Sequence, residues 1–312
     1  MKKRLQNKVS ESRLTLPLVI VYACICWVAC GLINSNLWLQ FGCFALSAFV
    51  MLILNNTNAL IRIYSRMVSC SFLVLSCMAC FLFPSVVGGI SQLLFITAYL
   101  ILFFTYQDTN SPGTTYYGFL SLGLATLAWV HLFFFIPFFW LLMLTNLQSL
   151  SWRTFFASLF GVATPYVLLL SWGFFSNNLT PFIDHFSPLF NLHMPFDMSI
   201  LTINQMVTFI FLVVMAIVGA LHFWSTSYLD KFRIRKIYGL FIKMDIAVFF
   251  LILLQPQHYD HLIRLGIINT APLVAHFFAL TNSKLSNLTF IAATVFILLF
   301  TAYNIWMSSL QF

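Results

Sequence analysis

The chain alternates between long apolar runs and short polar connectors. A helix needs about 20 apolar residues to cross the ~30 Å hydrocarbon core of a bilayer, and eleven runs reach or approach that length. The runs are continuous rather than alternating over about ten residues, which favours helices over the strands of a membrane barrel. The eleven predicted spans are 14–34, 37–54, 67–84, 88–105, 115–131, 133–148, 154–176, 199–224, 238–255, 264–281 and 288–308. The pattern predicts an all-α, polytopic transmembrane helix bundle that forms one domain over 1–312.

The connectors between the runs predict an orientation. Cationic connectors face the cytoplasm, and with a cytoplasmic basic segment at 1–13 this rule holds for all the connector clusters. Those clusters are Arg62 with Arg66, Arg153, the run Lys231 to Lys236, and Lys284. The C-terminus is then periplasmic and the acidic loop 177–198 lies outside. The pair Gly88–Gly89 predicts a turn between two spans.

The stretch 115–148 has two interpretations, one long helix or two spans. His131 and Pro137 interrupt it, and its 34 residues exceed one crossing. A single helix would also move the connector Lys231–Lys236 to the outside, against its charge. Two spans are therefore predicted.

Composition narrows the class of protein. The mean hydropathy of +0.96 and a charged fraction of 7% exclude a water-soluble domain. The net charge of +8 is an orientation signal, since no basic stripe with interleaved exposed aromatics indicates nucleic-acid binding. No motif for a nucleotide, a metal or another cofactor is present.

The seven cysteines lie inside apolar runs, which favours a role in packing over metal binding or redox chemistry. The N-terminus resembles a signal sequence, and Trp27 to Cys30 resembles a lipoprotein cleavage box with Trp in place of Leu. The run is longer than a signal peptide, so an uncleaved first span of a bacterial inner-membrane protein is predicted.

The loop 177–198 is one of two candidate sites at the outer face. It combines Asp184, His185 and His193 with four phenylalanines and three prolines, so it is expected to lie along the membrane surface. Asp184 is a candidate catalytic acid or base, and the two histidines are candidate substrate ligands. The alternative is an interfacial cap whose polar groups face water.

The second candidate site is the polar edge 256–264. His258, Asp260, His261 and Arg264 lie within seven residues between two spans. Arg264 is a cation at the outer end of a span, against the charge rule, which indicates a specific partner such as a phosphate. Asp260 and His261 are candidate catalytic residues, and His258 and Arg264 are candidate substrate ligands. The alternative is a polar turn in which Arg264 pairs with Asp260.

Three further ionisable groups lie inside predicted spans. Lys243 is near the cytoplasmic end, where it can reach the headgroups. Asp245 is deeper and needs a partner from another helix, such as Arg66 or His222. His276 alone predicts an interhelical hydrogen bond. Together these groups would serve either a proton relay or structural pairing.

Two resemblances bear on function. The Asn-rich connector at 55–58, the segment Gly161 to Pro165 and the Pro-containing helix around Ala271 to Ala275 resemble an uncharacterised family of bacterial polytopic inner-membrane proteins. That family lends no activity. The late chain, His258 to Ala275, is similar to the late spans of membrane glycosyltransferases that use polyprenyl-phosphate sugars. Their catalytic acid in the first outer loop has no counterpart in Asn34-Ser35-Asn36.

Two functions follow as expectations. The first is handling of a lipid-linked or cell-envelope glycan substrate at the periplasmic face, with membrane lipids and a polyprenyl-phosphate-linked substrate as partners. The second is a non-enzymatic membrane component, either a small-solute transporter or a scaffold of an envelope complex.

Overall fold

The computed structural model describes residues 4–190 and 195–309, which form helices and no strands. The α-helices are α1 Leu5–Glu11, α2 Thr15–Ala29, α3 Trp38–Asn58, α4 Met67–Met78, α5 Val86–Leu102, α6 Pro112–Ala128, α7 Ile136–Leu142, α8 Trp152–Phe175, α9 Thr180–Phe186, α10 Ile203–Thr226, α11 Phe232–Leu254, α12 Tyr259–Leu280 and α13 Lys284–Ser309. Shorter 3-10 or π turns are Cys80–Leu82, Phe103–Thr105, Val130–Phe135, Met143–Leu147, Ser187–Phe190, Met198–Ile200, Ser227–Leu229 and Pro256–His258. The predicted all-α class is confirmed.

Eight helical segments in the described ranges are long and apolar enough to cross a membrane. They are 38–58, 86–105, 130–147, 152–175, 203–229, 232–254, 256–280 and 284–307. A ninth is obtained if α1 and α2, which meet at a bend of 91°, count as one span. The other predicted spans correspond to helices α2, α4 and α6, of 15, 12 and 17 residues. These are shorter than the ~20 residues of a straight crossing.

The run 115–148 is divided, as its polar interruptions predict. Helix α6 ends at Ala128, and Trp129 is extended with φ −141° and ψ 104°. The rings of Phe119 and Phe139, ten residues before and after Trp129, lie 6.3 Å apart. The two halves therefore run antiparallel and reverse direction at Trp129.

Helix α12 lies at the centre of the bundle. In the most apolar stretch of 18 residues within 256–280, 94% of the residues are buried, whereas the corresponding stretches of α8 and α13 are 28% buried. It packs on α4, α5, α10 and α11. Gly219 of α10 permits close approach, because a Cβ there would lie 2.8 Å from the Cβ of Leu273. The polar side chains of α12 from Arg264 to His276 are thus enclosed by protein.

Candidate functional site

Arg264 lies in the second turn of α12 and its side chain enters the bundle core, where the residue is 8% exposed. Nη1 donates a hydrogen bond to Oε1 of Gln92 at 3.2 Å, and Nη2 donates to the carbonyl of Leu82. Nε has no partner. The guanidinium is therefore held against α5 and the turn before it, and its Nε donor is unused.

No described carboxylate lies within 4.0 Å of the Arg264 guanidinium. Asp260, one turn earlier, is exposed and accepts a hydrogen bond from Nε2 of Gln205 at 3.0 Å. The alternative of an Arg264–Asp260 pair is therefore wrong. Arginine keeps its charge in proteins, and a buried charge is costly without a counter-charge. The Arg264 guanidinium is thus a buried cation with no described carboxylate in contact, and the charge of Asp260 acts on it only from beyond salt-bridge distance.

A cavity of about 20 Å³ lies beside this guanidinium and is called the Arg264 cavity below. This volume holds about one water molecule or one oxygen atom of a larger group. Its walls include Trp27, Phe44, Ser76 and Gln92, and Gln40 and Ser85 are half-buried lining residues.

The polar atoms around the Arg264 cavity are biased towards donors. Three buried atoms of lining residues lack a partner: Nε of Arg264, Nε1 of Trp27 and Oγ of Ser76. The two nitrogens can only donate, and the hydroxyl can donate or accept. Trp27 is fixed by stacking on Phe83, with ring centroids 3.9 Å apart and planes within 2°. An acceptor in the cavity would satisfy each of these donors that faces it.

Gly88 makes room for the guanidinium. A Cβ at this position would lie 2.5 Å from Nε and 2.9 Å from Cζ of Arg264. The turn predicted at Gly88–Gly89 is wrong, because both residues lie in the first turn of α5. Ser85 caps that helix by accepting a hydrogen bond from the Gly88 amide at 3.0 Å. The positive end of the α5 dipole adds to the preference for an anion.

The two regions that the sequence selected meet at His131. Its Nε2 lies 3.2 Å from the carbonyl oxygen of Pro188, in the 177–198 loop. Its ring centroid lies 3.8 Å from that of His258. His261 stacks on Trp129, with centroids 4.6 Å apart. These residues form a histidine cluster, consisting of His131, His258 and His261, around the chain reversal.

The described part of the 177–198 loop carries two of its candidate residues. Asp184 is exposed on α9. His185 is half-buried, with Nε2 3.3 Å from the hydroxyl of Tyr166. Burial lowers the pKa of His185, because leaving water disfavours the charged imidazolium. His193 lies outside the described residues.

The intramembrane groups do not converge. Asp245 is buried and accepts a hydrogen bond from Thr270 at 3.0 Å, so the expected partners Arg66 and His222 are wrong. Its Oδ1 has no partner. Lys243 is exposed and donates to Oδ1 of Asn146 at 2.7 Å.

His276 lies near the other end of α12 and is paired. Its Nε2 lies 3.1 Å from Oδ2 of Asp230, and both side chains are fully buried. Oδ1 of Asp230 lies 3.8 Å from Arg62. This group joins the connector after α3, the connector after α10, and α12. Asp230 was not predicted as a site residue, because it directly precedes the cationic run Lys231 to Lys236 and resembles part of that polar connector.

Other residues of the site were also not predicted. Gln92, Trp27 and Ser76 lie within apolar runs, and their partners are distant in sequence. His131 was noted only as an interruption of a run. A polar residue inside a long apolar run is the one signal that could have found them.

No three His, Cys, Asp or Glu side chains in 4–190 and 195–309 are arranged to hold a metal ion. Comparison of the chain with protein families, with curated proteins and with solved structures gave no significant match.

Proposed function

We propose that the chain binds the phosphate of a lipid-linked or cell-envelope glycan substrate at the outer face of a bacterial inner membrane. The observation that carries the proposal is the Arg264 guanidinium, buried with no described carboxylate in contact, beside a cavity whose lining residues include Trp27 and Arg264 with unpartnered donor nitrogens. Arginine suits phosphate because its planar fork of donors matches the oxygens.

The proposed orientation has eleven crossings, with a cytoplasmic N-terminus and a periplasmic C-terminus. Three observations support it. Gln6 of α1 donates to Oγ1 of Thr281 at 3.1 Å and to Oγ of Ser286 at 3.0 Å, which brings α1 to the connector between α12 and α13. The reversal at Trp129 supports separate fifth and sixth crossings. Ser151 at the start of α8 donates to the carbonyl of Thr109, just before α6, at 2.9 Å, and the Tyr166 hydroxyl lies 2.9 Å from Thr126 near the end of α6, so α6 and α8 run in parallel. With this number of crossings, each cationic connector lies on the cytoplasmic side.

Proposed chemistry uses groups near the histidine cluster. Asp260 and His261 precede Arg264 by one turn, so a substrate whose phosphate lies at Arg264 would present its next groups to them. Asp184 would be the acid or base on the loop, with His185 and His193 as further substrate ligands. The contact of Pro188 with His131 supports a loop that closes over the same end of the bundle.

The test uses chromosomal variants in the native host, with envelope glycans as the readout. Arg264→Gln removes the charge and keeps hydrogen-bonding capacity, and Asp260→Asn removes the carboxylate. Arg153→Gln is the matched control, since Arg153 is exposed on α8. We expect an altered glycan profile for the first two variants and none for the control. Stable Arg264→Gln protein with an unchanged profile would contradict the proposal.

A second candidate, small-solute transport, has one observation in its favour. Asp245 is buried with an unpartnered Oδ1 and lines an apolar groove of about 150 Å³ between α10 and α11. Intramembrane carboxyls of this kind serve proton relays. Under this alternative Asp245→Asn, rather than Arg264→Gln, would abolish the phenotype. A scaffold would tolerate both changes.

A further inference from the structure

A second cavity adjoins the Arg264 cavity. It is a groove of about 190 Å³ between α2 and α3, called the α2–α3 groove below, and its lining is almost wholly apolar. Phe44 belongs to the walls of both spaces. The ring of Phe44 lies 5.4 Å from Trp27 and 6.0 Å from Phe83, so the aromatic group beside Arg264 is continuous with the groove.

The α2–α3 groove follows one face of α3. Its α3 lining residues recur at helical spacing from Phe41 to Leu52. At about 1.5 Å per residue these eleven steps measure about 17 Å, close to half of the ~30 Å hydrocarbon thickness. Ala45, Phe49 and Ile20 of its lining are exposed, so the groove opens sideways towards the surroundings of the bundle.

We infer that the anion at Arg264 is the headgroup of an amphiphile, a phosphate monoester or diester of a long hydrocarbon chain, whose chain lies in the α2–α3 groove. This inference rests on the proposed function and specifies its ligand. Phe44 lines both the Arg264 cavity and the groove, so a molecule that passes around this ring would occupy both. The length of the groove matches the depth that a hydrocarbon chain occupies in one leaflet of the bilayer.

The size of the Arg264 cavity favours this class over a free ion. About 20 Å³ admits one oxygen atom beside the guanidinium, not a whole phosphate. The remainder of the headgroup would then lie at the rim, near Gln40 and Ser85. A ligand anchored by its chain arrives along the membrane, with its phosphate already at the depth of the cavity. A free anion would gain only the single inserted oxygen.

The experiment measures binding to purified protein in dodecyl maltoside by native mass spectrometry, with dodecyl phosphate and inorganic phosphate as probes. Ala45→Phe fills the groove from an exposed position, so it adds no side chain to the core. Ala292→Phe is its matched control, because Ala292 is an exposed residue of α13 outside the groove. Arg264→Gln tests the anion site itself.

We expect the protein to bind dodecyl phosphate at least tenfold more tightly than inorganic phosphate. Ala45→Phe should weaken dodecyl phosphate binding at least tenfold and leave inorganic phosphate unchanged, whereas Ala292→Phe should change neither. Arg264→Gln should lose both.

The outcomes separate the two claims. Undiminished dodecyl phosphate binding by Ala45→Phe, or equal affinities for the two probes, would overturn the chain in the groove and leave the phosphate site intact. Undiminished binding of both probes by Arg264→Gln would overturn the proposed function as well. If Arg264→Gln does not fold, Ala45→Phe still decides the inference, because its position is exposed.

Discussion

Substitution of Gly88 by alanine moves the Arg264 guanidinium without removing it. The new Cβ would lie 2.5 Å from Nε, and ordinary contact begins at 3.4 Å, so the guanidinium must shift by about 0.9 Å. The bond to Gln92 is already 3.2 Å long and would stretch beyond hydrogen-bond distance.

The free-energy balance of Gly88→Ala follows from these contacts. Each hydrogen bond from a charged group contributes about 1.5–3 kcal/mol, and the higher helix propensity of alanine returns about 1 kcal/mol. Loss of the Gln92 bond alone thus destabilises the protein by about 0.5–2 kcal/mol, and loss of the Leu82 bond adds to this. Anion binding should fall as well, because the donors no longer surround the cavity.

The assay is thermal unfolding of the purified protein in detergent, together with dodecyl phosphate binding. Gly89→Ala is the control for stability, because its Cβ would lie 3.4 Å from the Cβ of Cys43, an ordinary contact in the same helical turn. Gly88→Ala should unfold at a lower temperature than Gly89→Ala. Equal unfolding temperatures together with undiminished binding by Gly88→Ala would refute the close approach of Arg264 to α5.

Three further predictions concern the bundle and the site. Trp27→Phe keeps the aromatic packing but removes an unpartnered donor from the Arg264 cavity, so dodecyl phosphate affinity should fall severalfold in the mass-spectrometric assay; unchanged affinity would exclude the indole from the site. Tyr99→Phe removes the hydroxyl that donates to Oδ1 of Asn269 at 2.7 Å and should cost about 1 kcal/mol in thermal unfolding; a neutral result would mean that Asn269 finds another donor. Gly161→Ala would bring a Cβ to 2.6 Å from a backbone oxygen of α6 and should destabilise the protein by about 1–3 kcal/mol. Gly42→Ala is the control, because its Cβ would meet nothing within 4 Å. Equal stability of the two variants would refute the tight α6–α8 crossing.

Much of the helical architecture could be predicted from the sequence, because lipid-exposed helices require long apolar runs and polar breaks between them. The reversal at Trp129 was predicted from the interruptions at His131 and Pro137. Helix lengths were not predictable. Turns such as Cys80–Leu82 continue an apolar run beyond the end of α4, so hydropathy overestimates the regular helix.

The candidate site was predicted in part. Arg264 was identified because it departs from the charge rule, but its contacts were not. An arginine side chain can reach residues on several sides of its helix, and here it extends to Gln92, 172 positions away in sequence. Trp27 resembled any other residue of an apolar run. Its role depends on the packing of α2 against the turn after α4, which a sequence pattern does not encode.

The most direct test of an anion site at Arg264 is a cryo-electron microscopy map of the wild-type protein extracted with its native lipids. An occupied anion site predicts headgroup density about 2.7–2.9 Å from Nε of Arg264, next to Nε1 of Trp27 and continuous with a chain in the α2–α3 groove. A map that resolves the guanidinium and shows beside it only a water molecule, or no density, would contradict an anion site at Arg264.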